Sequence, residues 1–171
     1  MPLLILRQDI VYMNVDAIVS SVSQEPYLGV GVHSRIHDVA GPHLFLARQK
    51  LGSIYVSEAY ITPGYQLLAK YVIHTHAPNY YFDTIKAPIL LYDTYQNCLN
   101  LVKKHHLKSI AFPLLSSGVY GYPKDEALEI AKKAIHEILE SYDLKVYLVV
   151  YDHESYEIAK KYSQKVNDYL Y

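Results

Sequence analysis

"KSIAFPLLSSGVYGYPKDEAL", residues 108–128, carries three elements in 21 positions. The apolar run over 108–115 reads as a buried strand. "SSGVYGYP" (116–123) is a loop of turn-forming residues. Pro123 then stands in the first turn of a helix over 123–141, where Asp125 and Glu126 complement the helix dipole. Strand, glycine-containing loop and helix is an arrangement by which backbone N–H groups cradle phosphates. The hydroxyls of Ser116 and Ser117, the backbones of Gly118 and Gly121 and the positive end of the helix suit a diphosphate. No Gly-Lys-Ser/Thr follows, so this is not a Walker A loop, and the G-x-G-x-x-G dinucleotide pattern is absent.

Working outward, the same alternation recurs. Strands are expected at 3–7, 15–21, 53–62, 69–78 and 145–152. Helices are expected at 33–52 (broken at Gly41-Pro42 and stopped by Gly52), 86–105 and 154–168. Strands alternating with helices of this length give an α/β three-layer α/β/α sandwich on a mixed, mainly parallel sheet. With 171 residues, no linker, no repeat and no charge block, the chain reads as a single domain over 1–171. Ligands of such sheets sit beyond the carboxyl ends of the strands, where 20–32, 116–122 and 151–152 converge.

Composition narrows the partners. Hydrophobic residues make up 51% and charged residues 19%, as in a globular protein. With 16 basic and 17 acidic side chains there is no electrostatic signal for duplex nucleic acid or for a membrane surface. An anionic ligand must then be held by backbone N–H groups and helix dipoles. No apolar stretch approaches the ~20 residues of a membrane helix, and "MPLLILRQDI" lacks the basic region of a signal peptide. The lone Cys98, in a helical pattern, reads as a packing thiol and suits a reducing cytoplasm.

The segment "DIVYMNVDAIVSSVSQEPYLGVGVHSRIHDVAG" (9–41) resembles the opening of macrodomains. There an Asp-Ile pair precedes V-D-A-I-V-N-A-A-N, a glycine run and V-D-G-A-I-H-x-A-A-G. "YITPGYQLLAKYVIHTHAP" (60–78) and the 108–128 segment match the family's middle and second binding loop. The resemblance covers about 3–165 and is closest to bacterial stand-alone macrodomains of the O-acetyl-ADP-ribose deacetylase and mono-ADP-ribosyl hydrolase type. It implies ADP-ribose, or an ADP-ribosylated macromolecule, as the partner and no cofactor. It further implies that Asp9 accepts the adenine amino group with Ile10 beside it, and that Val150 and Tyr151 line or stack on the base. Gly29, Val30, Gly31 and Val32, with Ser116, Ser117, Gly118, Val119 and Tyr120, would clamp the diphosphate and distal ribose. By itself "LGVGV" (28–32) is as readily a structural bend as a ligand loop.

The departures concern chemistry. V-N-A-A-N becomes Val19-Ser20-Ser21-Val22-Ser23, so serine replaces both asparagines and offers fewer hydrogen bonds to a ribose. The aspartate that orients or activates water in hydrolytic members is His33. A lone histidine at a helix start reads as a surface or cap residue, with general-base catalysis as the alternative. His37 and His74 fall at framework positions. His74 and His76 lie on one side of a strand without a third ligand, so no metal site is expected. The expectation is a binder of ADP-ribose or a derivative, with hydrolase activity weak or absent and Ser23 and His33 as the only catalytic candidates. The alternatives are an active hydrolase of mono-ADP-ribosylated protein or O-acetyl-ADP-ribose, and a module whose altered first loop has lost ADP-ribose.

Overall fold

The computed structural model describes residues 3–27, 32–162 and 166–167. In chain order it contains β1 (Leu3–Arg7), a 3-10 turn (Ile10–Tyr12), β2 (Ala17–Ser21), α1 (Val32–Ala40), α2 (Pro42–Leu51), β3 (Ala59–Pro63) and β4 (Tyr71–Thr75). Then follow α3 (Ala87–Lys104), β5 (Ser109–Pro113), α4 (Lys124–Leu139), β6 (Lys145–Val150), α5 (His153–Tyr162) and β7 (Val166–Asn167). The sheet order is β3-β4-β2-β5-β6-β1-β7. Only β3 runs antiparallel to its neighbour; every other pairing is parallel.

The central strands are apolar on both faces, as a sheet covered on two sides requires. Ala17 and Val19 of β2, Ile110 and Phe112 of β5 and Val146 and Leu148 of β6 pack into one core with α3, α4 and α5. Their alternates Ile18, Ala111 and Val149 pack into a second core with Ile36 and Ala40 of α1, Leu44 of α2 and the 3-10 turn. The expected three-layer α/β/α sandwich is therefore the fold. Asp16 pins the register: its N–H donates to Ser109 Oγ at 2.8 Å and its Oδ2 accepts the Lys108 N–H at 2.7 Å. α1 and α2 meet at Gly41, whose φ of 85° is open to glycine, and Pro42 starts the second helix.

Two boundaries differ from the sequence reading by more than three residues. The expected strand 53–62 shrinks to β3, because 54–58 forms a turn. There Ser57 takes a φ of 70°, its N–H donates to the His76 carbonyl, and Glu58 N–H donates to the Tyr55 carbonyl. The alternation of 53–58 thus reflects one buried apolar residue, Ile54, beside exposed Tyr55 and Val56. The expected helix 154–168 ends at Tyr162, and Val166–Asn167 pairs parallel with Ile5 and Leu6, covering the free edge of β1. Cys98 is fully buried and its thiol is pushed up to about 12 by that burial, which makes it inert packing.

The β3–β4 hairpin depends on Gly64, whose N–H donates to the Lys70 carbonyl at 2.8 Å. A Cβ there would fall 2.1 Å from the Ala69 carbonyl oxygen, a backbone atom that cannot swing aside. Gly64→Ala is expected to destabilise the fold by about 2 kcal/mol or more, within the range of overpacked sites. Urea unfolding at neutral pH measures it.

Candidate functional site

One cleft of about 440 Å³ opens at the carboxyl ends of β1, β5 and β6. β1 delivers Asp9 and Ile10, the loop after β5 delivers Ser117 and Gly118, and β6 delivers Val150 and Tyr151. These are six of the residues expected to bind ligand or line the base, brought together from positions more than 140 apart in sequence.

Asp9 caps the 3-10 turn: its Oδ1 accepts the Val11 N–H at 3.1 Å. Its Oδ2 accepts the Nε–H of Arg35 at 3.0 Å. The Ile10 N–H donates to no group among the described residues. The turn therefore offers the cleft a carboxylate acceptor with a free amide donor beside it. Tyr151 is 72% exposed, and its carbonyl accepts from Arg7 Nε at 3.3 Å. A flat ring held by its backbone and open to solvent is available for stacking.

The loop after β5 is held from beneath. Tyr95, fully buried on α3, accepts the Leu115 N–H at 3.1 Å. The serine hydroxyls expected to meet a diphosphate instead donate within the protein, Ser116 to the Pro78 carbonyl at 2.6 Å and Ser117 to the Leu114 carbonyl at 2.7 Å. Hydroxyls seek the nearest acceptor, which for Ser117 is its own loop and for Ser116 is the segment after β4. The amides of Gly118, Val119 and Tyr120 donate to no group among the described residues, so the loop offers a ligand consecutive N–H groups. Gly118 lies outside the left-handed region and a Cβ there meets nothing within 4 Å; it is Gly121 that needs a φ of 70°. Ser116, Val119 and Tyr120 are not among the residues lining the cleft. The Tyr120 hydroxyl is 3.4 Å from His76 Nε2.

The serines of β2 gather elsewhere. Ser20 Oγ lies 3.1 Å from His33 Nδ1, and both side chains are buried, so the surface or cap reading of His33 is corrected. The physical reason is the packing of α1 against β2, which sets position 33 over the end of that strand. The His33 and His37 rings meet edge to face at 4.6 Å. His74, fully buried, is bonded to Thr62 Oγ1 at 2.8 Å. Arg48, 1% exposed, donates to the carbonyls of Ser23 and Gln24 at 3.0 Å each, so Ser23 is tied by its backbone. Ser21 and Ser23 are half-buried. Gly29, Val30 and Gly31 lie outside the described residues, as does the side chain of Val32. Among the described residues no cluster of three His, Cys, Asp or Glu is disposed to hold a metal ion, and no helix is long and apolar enough to cross a membrane.

The sequence reading missed Arg35 and Asp152, which also line the cleft. Arg35 carried a signal: it is the only Lys or Arg between positions 8 and 47. Its guanidinium is held further toward the charged form by the bond to Asp9. Partial burial would raise the Asp152 carboxyl, but bonds from Ser155 and Lys124 outweigh it and lower it to about 2.

Comparison with known proteins follows this geometry. The Macro domain profile matches residues 19–131. A protein of Salmonella newport named O-acetyl-ADP-ribose deacetylase is 39% identical over 171 residues, covering 96% of each chain. The macrodomain of Oceanobacillus iheyensis solved with ADP superposes with a TM-score of 0.86 at 34% identity, over 91% of this chain and 86% of that one. A Trypanosoma brucei macrodomain in complex with ADP-ribose gives 0.86 at 32% identity, over 94% and 68%.

The buried histidines set an acid limit on stability. Burial, with His33 and Arg48 nearby, lowers His37 from 6.5 to about 4; burial, with His37, Arg48 and His33 nearby, lowers His74 to about 3. Between these values and 6.5 the unfolded chain binds more protons than the folded one. Stability is therefore full above about pH 6.5 and falls as the pH drops toward 4. His37 alone accounts for a loss of about 2 kcal/mol at pH 5, at ~1.4 kcal/mol per pH unit. Urea midpoints at pH 7.5 and 5 measure the fall, and His37→Leu is expected to remove His37's share of it while that of His74 remains.

Proposed function

The chain belongs to the macrodomain family, and on that premise we propose that it binds ADP-ribose or an ADP-ribose-derived ligand and has weak or absent hydrolase activity. The observation that carries the binding reading is the single cleft shared by Asp9, Gly118 and Tyr151. In this reading adenine donates its amino group to Asp9, accepts at N1 from the Ile10 N–H and stacks on Tyr151, with Val150 beneath. The diphosphate lies on the amides of Gly118, Val119 and Tyr120. These donors need no basic side chain, which accords with a formal net charge of −1. The distal ribose points toward Gly29–Val32 and the serines at 20, 21 and 23. The ligand arrives free or attached to a macromolecule, and residues 1–171 act as one macrodomain. The buried, unpaired Cys98 agrees with a cytoplasmic setting.

Weak hydrolysis is supported by the surroundings of His33. A general base must reach water and substrate near neutral pH. His33 is 6% exposed, its Nδ1 is engaged by Ser20, and burial lowers its proton affinity. Ser23 offers a shorter, single hydroxyl where hydrolytic members carry an amide. The second reading, an active O-acetyl-ADP-ribose deacetylase or mono-ADP-ribosyl hydrolase, is favoured by the printed names of the relatives at 39% identity.

Calorimetric titration tests the binding. Asp9→Ala is expected to weaken ADP-ribose by about 5- to 150-fold, the equivalent of a hydrogen bond of ~1–3 kcal/mol to a charged acceptor. Unchanged affinity would remove adenine from Asp9.

Turnover of O-acetyl-ADP-ribose or a mono-ADP-ribosylated protein tests the chemistry. The parent is expected near background. Ser23→Asn with His33→Asp is expected to raise the rate at least ~10-fold, a barrier change of ~1.4 kcal/mol. Brisk parent turnover establishes the second reading instead.

A further inference from the structure

The wall of the cleft at Asp9 is an ion pair. Arg35 reaches from α1 to Asp9 with Nε 3.0 Å from Oδ2, and its Nη2 is 3.4 Å from the Tyr12 hydroxyl. The guanidinium carbon lies 6.0 Å from the Tyr12 ring centre, which braces it from the side. Nη1 has no partner among the described residues, and the side chain is 44% exposed while lining the cleft. Aligned through His37, the family pattern V-D-G-A-I-H has alanine where this chain has Arg35. The cation is thus a departure of this chain, set beside the group that reads the base.

The chemistry of a purine edge gives this departure a meaning. A 6-aminopurine presents a donor at N6 and an acceptor at N1; a 6-oxopurine presents the reverse, an acceptor at O6 and a donor at N1. A carboxylate alone accepts only, so it favours the amino group and repels O6. Asp9 with Arg35 beside it offers both polarities. Asp9 accepts from N6–H of adenine or, with the base edge shifted by one position off the Ile10 N–H, from N1–H of hypoxanthine, and the Nη1–H groups donate to O6. We propose that Arg35 is a specificity-determining residue that relaxes base selection, so that the cleft takes 6-oxopurine diphosphate-riboses as well as ADP-ribose. The inference rests on the reading that the base lies against Asp9.

Calorimetric titration with ADP-ribose and with inosine diphosphate ribose, its hypoxanthine counterpart, tests it through a ratio of dissociation constants. The parent is expected to favour ADP-ribose by less than about 5-fold, and Arg35→Ala by at least about 20-fold. That gap is within what an unpaired buried oxygen lone pair facing a carboxylate produces. Arg35→Lys, which restores a donor without the planar fork, is expected between the two. Thermal melts of each variant establish that it is folded. A parent preference above 20-fold, or a ratio unchanged in both folded variants, overturns the role of Arg35 while leaving ADP-ribose binding in place. Absence of binding by either ligand overturns the ADP-ribose reading, and this inference with it.

Discussion

Parallel pairing is the constraint from which the site follows. Each parallel strand must be entered from the same end as its neighbour, so the chain crosses back over a face and leaves every strand on one edge. β1, β5 and β6 are adjacent and parallel, and the residues after them are Gln8 to Ile10, Leu114 to Gly118 and Tyr151. Asp9 and Tyr151 therefore meet although 142 positions separate them. The two-sided burial of these strands fixes their register, because a one-residue slip would exchange the two cores. Asp16, bonded to Ser109 and to the Lys108 amide, holds β2 and β5 in step at the opposite end.

The polar groups of the interior divide into those satisfied by the protein and those left for a ligand. Ser117 and Tyr95 bond within the loop after β5, and Ser116 ties that loop to the Pro78 carbonyl after β4. The loop amides at 118–120 and the Ile10 amide keep theirs. A nearly neutral protein can recognise an anion in this way, since oriented amides supply the field that lysines supply elsewhere. Arg35 is the exception: it is a full cation at the Asp9 end of the cleft, already balanced by that carboxylate.

The far end of β2 is built on a different balance. Arg48 is buried on three backbone carbonyls, those of Ser23, Gln24 and Gly52, and among the described residues no carboxylate is bonded to it. Burial, with the Arg48 charge nearby, lowers the proton affinity of His33, His37 and His74. Among the described residues, both nitrogens of His37 lack a hydrogen-bond partner, as does Nδ1 of His74. Histidines in such surroundings act as framework. The family resemblance supplied that role for His37 and His74 and a catalytic alternative for His33; packing joins all three in one group.

By itself the sequence determined the layer order and the strand cores, and through the family resemblance it pointed to Asp9, Gly118 and Tyr151, which line one cleft. Those features are written in local patterns: apolar runs of strand length, glycine and proline at element ends, and motifs that survive substitution. Tertiary structure alone decided where hydroxyls point, which glycine needs a positive φ and which charges pair. The 54–58 turn escaped notice because Ser57 is bent by its bond to the His76 carbonyl, and β7 because its partner lies at the other end of the chain. Arg35 looked like any exposed helix cation until α1 was laid against the 3-10 turn. A side chain's role depends on what the fold sets within about 3 Å of it, and sequence order does not encode that distance.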